Sequence, residues 1–328
     1  MHILVLGAAG MVGRKLCERL SRDGRLGKSD ITKLTMHDVV EPKAPERAGF
    51  AVETVSSDFA VPGAAEKLIA GRPDVIFHLA AIVSGEAELD FDKGYRINLD
   101  GTRMLLDAVR LAGGGYKPRV VFTSSIAVFG APFPDAIGDE FFHTPLLSYG
   151  TQKAIGELLL ADYSRRGFLD GIGIRLPTIC IRPGLPNKAA SGFFSNILRE
   201  PLAGKEAVLP VSEDVRHWHA TPRSAVGFLL HAGTMDLAAV GPRRNLTMPG
   251  LSATVGEQIA ALKRVAGDKV AARIKREPDP FIVSIVGGWP RNFNAKRSLE
   301  LGFTTAEKTF DDIIRIHIED ELGGNFVA

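Results

Sequence analysis

The sequence predicts an α/β fold, a doubly wound parallel sheet followed by a smaller C-terminal α/β lobe. Apolar runs without polar alternation recur through the first half, separated by stretches of helical period. That is the pattern of strands buried on both faces by crossover helices. A glycine-spaced turn, Gly7-Ala8-Ala9-Gly10-Met11-Val12-Gly13, joins the first run to the first helical stretch. From Pro177 onward the regularity gives way to segments punctuated by Pro and Gly, such as Arg182-Pro183-Gly184-Leu185-Pro186.

Taken in order, residues 3–6 read as the first strand and 11–20 as the helix after the turn. Residues 33–37, 51–55 and 75–79 supply three more strands. After Asn98, the residues Met104, Leu105, Ala108, Val109 and Ala112 fall at helical spacing, and strands at 120–123 and 173–176 follow. A first domain over 1–176 and a second lobe over 177–328 are expected, with late helices near 255–265 and 310–322. Residues 220–232 look like a strand end and a helix, so a stretch of about 218–240 is expected to rejoin the first domain. The sequence contains no internal repeat or low-complexity tract.

With 328 residues, 45% hydrophobic content and a net charge of +2, the chain reads as a soluble globular protein. Its charges are mixed, without the basic stripe that nucleic-acid binders carry, and no apolar run approaches the ~18 residues of a membrane span. Nucleic acid and membrane are therefore excluded as expected partners. Cys17 and Cys180 are the only cysteines, which suggests neither a disulfide framework nor a thiolate metal site. The N-terminus runs directly into a strand without a basic, cleavable leader, and a reducing cytoplasm is the expected setting.

Three glycines in seven residues can be merely a tight turn. Between a strand and a helix, however, they form the Rossmann-type arrangement in which Gly7, Gly10, Met11, Val12 and Gly13 present helix N-terminal amides to a dinucleotide pyrophosphate. Asp38, ending the second strand, is placed to accept hydrogen bonds from ribose hydroxyls and to repel a 2′-phosphate, so NAD is expected rather than NADP. Asp58 and Phe59 are read either as adenine contacts or as a solvated turn. Leu79, Ala80 and Ala81 offer small groups where a cofactor passes, and His78 reads as a packed histidine. Tyr149 and Lys153 stand four residues apart, on one helix face. A fixed cation there favours the phenolate and lowers a tyrosine pKa from its usual value of about 10. A base beside a nicotinamide implies alcohol oxidation.

Together with Asn98, Ser124-Ser125-Ile126-Ala127-Val128-Phe129-Gly130 and Asn294-Ala295-Lys296-Arg297-Ser298-Leu299-Glu300-Leu301-Gly302-Phe303, these motifs resemble the extended short-chain dehydrogenase/reductases over essentially the whole chain. The resemblance implies that Ser125 binds the reacting oxygen, Tyr149 takes its proton, and Lys153 holds the nicotinamide ribose. It also implies cofactor contacts from Pro177, Thr178 and Ile179. Asn98 serves either a proton relay or a helix-start hydrogen bond, and a homodimer through the helices bearing Asn98 and Tyr149 is the family's habit. Residues 81–88, 148–160, 176–184 and 190–193 further resemble the D-erythronate dehydrogenases, which are similar to the short-chain L-threonine dehydrogenases. A small 2-hydroxy acid is then the expected substrate, near Ser84, Gly85, Thr178, Ser191 and an arginine.

Dehydratases of this family carry an Asp-Glu pair after the catalytic Ser or Thr, where this chain has Ile126 and Ala127, which cannot exchange protons. Sugar-nucleotide epimerases carry an asparagine just after the arginine of the sixth strand, which Arg175-Leu176-Pro177-Thr178 lacks. The epimerase remains an alternative, as does a non-catalytic dinucleotide-binding regulator, although a regulator has no need of Ser125, Tyr149 and Lys153 together. Arg216 is the preferred carboxylate fork and Arg182 its rival. His217, His219 and His231 have no Glu or Asp to complete a ligand set, so no metal is expected and they are read as core or interface histidines.

Overall fold

The computed structural model describes residues 1–184 and 191–328; Leu185, Pro186 and Ala190 of the segments quoted above lie outside the described residues. Strands β1 (His2–Leu6), β2 (Lys33–Asp38), β3 (Ala51–Ser56), β4 (Val75–His78), β5 (Arg119–Ser125) and β6 (Asp170–Leu176) join the late strand Asn245–Thr247 in one seven-stranded sheet. All its pairings are parallel, and the order is Asn245–Thr247, β6, β5, β4, β1, β2, β3. The chain winds outward from β1 to β3, then restarts at β4 on the other side of β1. A crevice therefore opens beyond the carboxyl ends of β1 and β4, where such sheets bind ligands.

Helix α1 (Met11–Asp23) buries Leu16, Cys17 and Leu20 and stops at Gly24, whose positive φ of 67° closes the last turn. Its start is unusual: Gly10 offers no side-chain cap, and the first turn holds no acidic residue. The amides there are left for a ligand. Gly7 has φ +88°, and a Cβ on Gly13 would stand 2.1 Å from the Gly7 carbonyl oxygen. Only glycine permits that approach.

Asn98 lies in a π-helical turn, Tyr95–Gly101, that feeds helix α2 (Thr102–Leu111). Helix α3 (Ser148–Arg165) carries Tyr149 and Lys153 and lies close against the sheet. A Cβ on Gly150 would be 2.1 Å from the Ala127 carbonyl oxygen, and one on Gly156 would be 2.8 Å from the Phe122 ring.

Pro177 ends β6 and redirects the chain out of the main sheet. Strand β7 (Thr178–Ile179) immediately pairs in parallel with β8 (Arg216–Ala220), which pairs antiparallel with Leu251–Thr254. Helices α4 (Gly192–Leu202), α6 (Val255–Ala266) and α7 (Phe310–Leu322) enclose a second core around Phe194, Ile197, Ile259, Leu262, Ile313 and Ile314. Between them in sequence, α5 (Pro222–Thr234) returns to the first body, where Ala225, Phe228 and Leu229 pack with Ile3, Leu16 and Phe77. Among the described residues no helix is long and apolar enough to cross a membrane.

Gly13→Ala should lower stability by about 1–3 kcal/mol, the usual range for overpacking. Gly227→Ala, within α5 and with open space around its added carbon, should be neutral or stabilising by up to ~1 kcal/mol. Denaturant unfolding of the two variants checks the contrast.

Candidate functional site

A cleft of about 350 Å3 runs from the glycine turn to the second lobe. At one end it is lined by Gly7, Gly10, Met11, Val12 and Gly13, with Leu79 and Ala81 beside them. The missing Cβ atoms and uncapped helix start form a cradle that fits a dinucleotide pyrophosphate. Asp38 does not line this cleft. Its carboxylate accepts from the Ala9 amide at 3.0 Å and the Val39 amide at 2.7 Å, bracing the turn from behind. Ala80 also lies outside the lining, although its backbone nitrogen backs Gly7.

Two expected contacts stand elsewhere. Phe59 is 2% exposed, with its ring packed edgewise against His37 and His78, so it offers no free face for stacking. Asp58 pairs with Arg96 at 2.7 Å and caps the Ala60 amide.

The middle of the cleft holds Ser125, Tyr149 and Lys153. Ser125 ends β5, accepts from the Ala127 amide at 3.1 Å and stands with its hydroxyl beside the Tyr149 phenol. Lys153 donates to the Thr123 carbonyl at 2.8 Å, with its Nζ 5.8 Å from the Tyr149 ring centre. Burial holds Tyr149 above the ordinary phenol value, opposed by the neighbouring Ser125 hydroxyl and the Arg182 guanidinium. The expectation that Lys153 lowers this pKa is thus corrected: desolvation outweighs the favourable contacts, and the assisting cation is Arg182. Lys153 itself is pushed down to about 8 by burial, partly offset by the Glu157 carboxylate one helical turn away.

Asn98 is outside the cleft and has its hydrogen bonds filled. Its carbonyl accepts from the Ile82 amide at 2.9 Å, while its amide donates to the Ile82 carbonyl and to Gln152 at 2.8 Å. It ties the strand exit after β4 to α3.

At the far end stand Ser84, Thr178, Arg182 and Ser191, whereas Gly85 lies off the lining. Arg182 donates from Nε to the Ile179 carbonyl at 3.0 Å and from its terminal nitrogen to Ser191 at 2.9 Å. Among the described residues its buried cation has no carboxylate hydrogen-bond acceptor, the condition under which a ligand carboxylate binds best. Arg216, the preferred fork, is not in this cleft. It reaches a separate hollow with Arg291 and Asp135, bonds the Ser252 carbonyl at 3.2 Å and pairs with Glu257 at 3.3 Å. The β8 pleat turns it away from its neighbour His217, which does line the cleft.

Sequence reasoning did not foresee His217, Trp289 or Pro290 in the lining. The run Gly287-Gly288-Trp289-Pro290, an aromatic between a glycine pair and a proline, was the available signal. The Glu157 cluster was likewise unforeseen. Its fully buried carboxylate accepts from Arg175 at 2.7 Å, Ser124 at 2.5 Å and His143 at 2.9 Å.

A glycine turn at the switch point of a parallel sheet, opening onto Ser125, Tyr149 and Lys153, defines the extended short-chain class of NAD-dependent enzymes. The NAD dependent epimerase/dehydratase family matches residues 3–220, and the chain belongs to it. It is 45% identical to D-erythronate dehydrogenase of Cupriavidus necator over 98% of both chains. It is 41% identical to the enzyme of the same name from Haemophilus influenzae, over 98% of this chain and all of that one. A crystal structure described as the nucleoside-diphosphate-sugar epimerase from Agrobacterium tumefaciens is similar at 69% identity and a TM-score of 0.97, covering 99% of this chain and 95% of that one.

Arg175 holds the Glu157 carboxyl down at about 2, against an ordinary 4.5. A depressed carboxyl contributes stability that is present above the ordinary value and lost as pH falls through the folded one. Glu157→Gln should therefore cost about 3–5 kcal/mol near neutrality, by stranding Arg175, and should flatten the stability loss between pH 4.5 and 2. Chemical denaturation across pH measures both.

Proposed function

We propose that the protein oxidises the C2 hydroxyl of a small 2-hydroxy acid, D-erythronate, to the 2-keto acid with reduction of NAD. The observation that carries this reading is near-full-length identity of 45% and 41% to two D-erythronate dehydrogenases. A cleft that ends on a buried guanidinium near the Tyr149 phenol supports it.

NAD, when bound, supplies the hydride acceptor for C2. Gly7, Gly10, Met11, Val12 and Gly13 would hold its pyrophosphate, Asp38 its adenosine ribose, Lys153 the second ribose, and Pro177 to Ile179 the nicotinamide end. For Asp58 and Phe59, a role limited to backbone contacts with adenine is all that their packing favours. Tyr149 takes the C2 hydroxyl proton, Ser125 holds the oxygen as it becomes a carbonyl, and Arg182 with Ser191 binds the carboxylate. Ser84 and Thr178 flank the carbon chain. Asn98 acts as a support for the cleft wall.

The division into an NAD-binding domain over 1–176 with about 218–240, and a substrate lobe over most of 177–328, is supported by the two apolar cores. A cytoplasmic setting is supported by two buried, free cysteines. A homodimer in sugar-acid catabolism completes the reading; Leu111 on α2 and Leu158 on α3 are 67% and 62% exposed, apolar surface that a second copy would cover. Leu158→Glu should then shift the mass seen by light scattering from two chains toward one.

The sugar-nucleotide epimerase is a second reading, favoured by the name given to the Agrobacterium structure and by the hollow bearing Arg216 and Arg291. A panel of D-erythronate, L-threonine and UDP-sugars separates the two, and turnover of UDP-sugars alone would reverse the ranking. Arg182→Met should raise KM for the acid by a factor corresponding to roughly 2–5 kcal/mol, the usual cost of losing a buried partner of a carboxylate. Arg216→Met should leave it within about twofold. The opposite pattern in steady-state kinetics would return the role to Arg216.

A further inference from the structure

We infer that Thr178 accepts a hydrogen bond from a hydroxyl on C3 or C4 of the acid, and that His217 and Pro290 fix Thr178 in this acceptor-only state. The inference rests on the proposed oxidation of D-erythronate and adds how the cleft selects a polyhydroxylated chain.

The polarity follows from proton counting. The Pro290 carbonyl stands 2.8 Å from His217 Nδ1. A carbonyl oxygen has no proton to give, so Nδ1 carries the hydrogen. His217 is 3% exposed, and burial holds its pKa down at about 4, so the ring is neutral and Nε2 presents a lone pair. The 2.7 Å contact between Nε2 and Thr178 Oγ1 then has one possible donor, the threonine hydroxyl. Its single proton is committed, and only lone pairs remain for the cleft.

The ring has little freedom to escape this arrangement. It stacks on Phe194 at 5.2 Å with planes 4° apart, and Trp289 lies 5.3 Å away. Strand pairing between β7 and β8, with Thr178 opposite His219, fixes the two backbones.

Neighbouring hydroxyls are engaged differently. Thr123 donates to the His78 carbonyl, Ser124 to Glu157, and Ser191 accepts from Arg182. The Ile179 carbonyl that anchors Arg182 directly follows Thr178 in the chain. An acid held by its carboxylate at Arg182 and its C2 oxygen at Tyr149 has two hydroxyls left, beside a group that can only accept. A substrate that places a carbonyl or ether oxygen there meets two facing lone pairs, which disfavours it.

The test compares D-erythronate with D-2-hydroxybutyrate, which keeps C1 and C2 but lacks both distal hydroxyls. Wild-type enzyme should prefer D-erythronate. Thr178→Val, nearly isosteric, should cut the ratio of kcat/KM for D-erythronate to that for D-2-hydroxybutyrate by about tenfold to a hundredfold, whatever it does to turnover of both. Thr178→Ser should retain the preference. His217→Phe keeps the stack on Phe194 but frees the threonine proton, and should lower the ratio of the two kcat/KM values. That ratio is read within one preparation, so partial unfolding cancels from it. Equal losses on both acids in Thr178→Val, or a wild type indifferent to the distal hydroxyls, would each overturn the inference while leaving D-erythronate oxidation standing. A wild type that turns over neither acid removes both.

Discussion

The fully buried carboxylate of Glu157 joins the elements that build the reacting end of the cleft. It belongs to α3, accepts from Arg175 of β6, and takes the Ser124 hydroxyl of β5, with His143 as the third partner. Placing such a pair out of water carries a large desolvation cost, offset only when every lone pair is occupied. Here three groups converge on two oxygens. Because Ser124 precedes Ser125, and Glu157 lies one turn beyond Lys153, the same contact that stabilises the sheet aligns the hydroxyl, phenol and ammonium of the site. Gly150 and Gly156 make the alignment possible by letting α3 lie against Ala127 and Phe122 without an intervening Cβ.

Electrostatics in the cleft run against the simplest reading of a Tyr and a Lys one turn apart. The helix spacing does put both on one face, but Lys153 turns its ammonium to the Thr123 carbonyl and the Phe122 ring, 4.8 Å away. Burial then raises Tyr149 and lowers Lys153, moving both toward their neutral forms. Arg182 keeps its charge across any working pH. Its field at Tyr149 is therefore the durable one, and an acid substrate that neutralises Arg182 weakens it.

Much of this was legible in the chain because it is local. Strands β1, β4 and β5 carry continuous apolar runs at Ile3–Leu6, Val75–Phe77 and Val120–Phe122, and the turn from Gly7 to Gly13 needs glycine for reasons confined to seven residues. The helices at 255–265 and 310–322 also appear where their periods place them, as Val255–Ala266 and Phe310–Leu322. The failures concern which way a side chain faces once the elements pack. Arg216 and His217 are adjacent, and the sequence does not say which of them the β8 pleat aims at the cleft. Phe59 reads as an aromatic after a strand, yet the His37 and His78 rings claim it for the core. Asn98 sits in a π-turn whose extra residue shifts the face it shows, and no composition signal marks that. The partners of Glu157 lie up to 33 residues from it in sequence, beyond the reach of any periodicity.

Two arginines on the second lobe separate two ways of using one scaffold. Arg216 and Arg291 flank an open hollow, with Arg216 already paired to an exposed Glu257; a rim cation of this kind contributes modestly and is screened by salt. Arg182 is enclosed, held by a backbone carbonyl and a serine hydroxyl that satisfy its geometry without cancelling its charge. A compact carboxylate would regain there the value of a desolvated, charge-assisted pair, which a ligand of few atoms needs because it has little other surface to bury. Ser191 and Thr178 stand on either side of that guanidinium in sequence, one accepting from it and the other committed to His217. The far end of the cleft thus offers a cation flanked by oxygen lone pairs, an arrangement complementary to an anion whose neighbouring carbons carry donor hydroxyls.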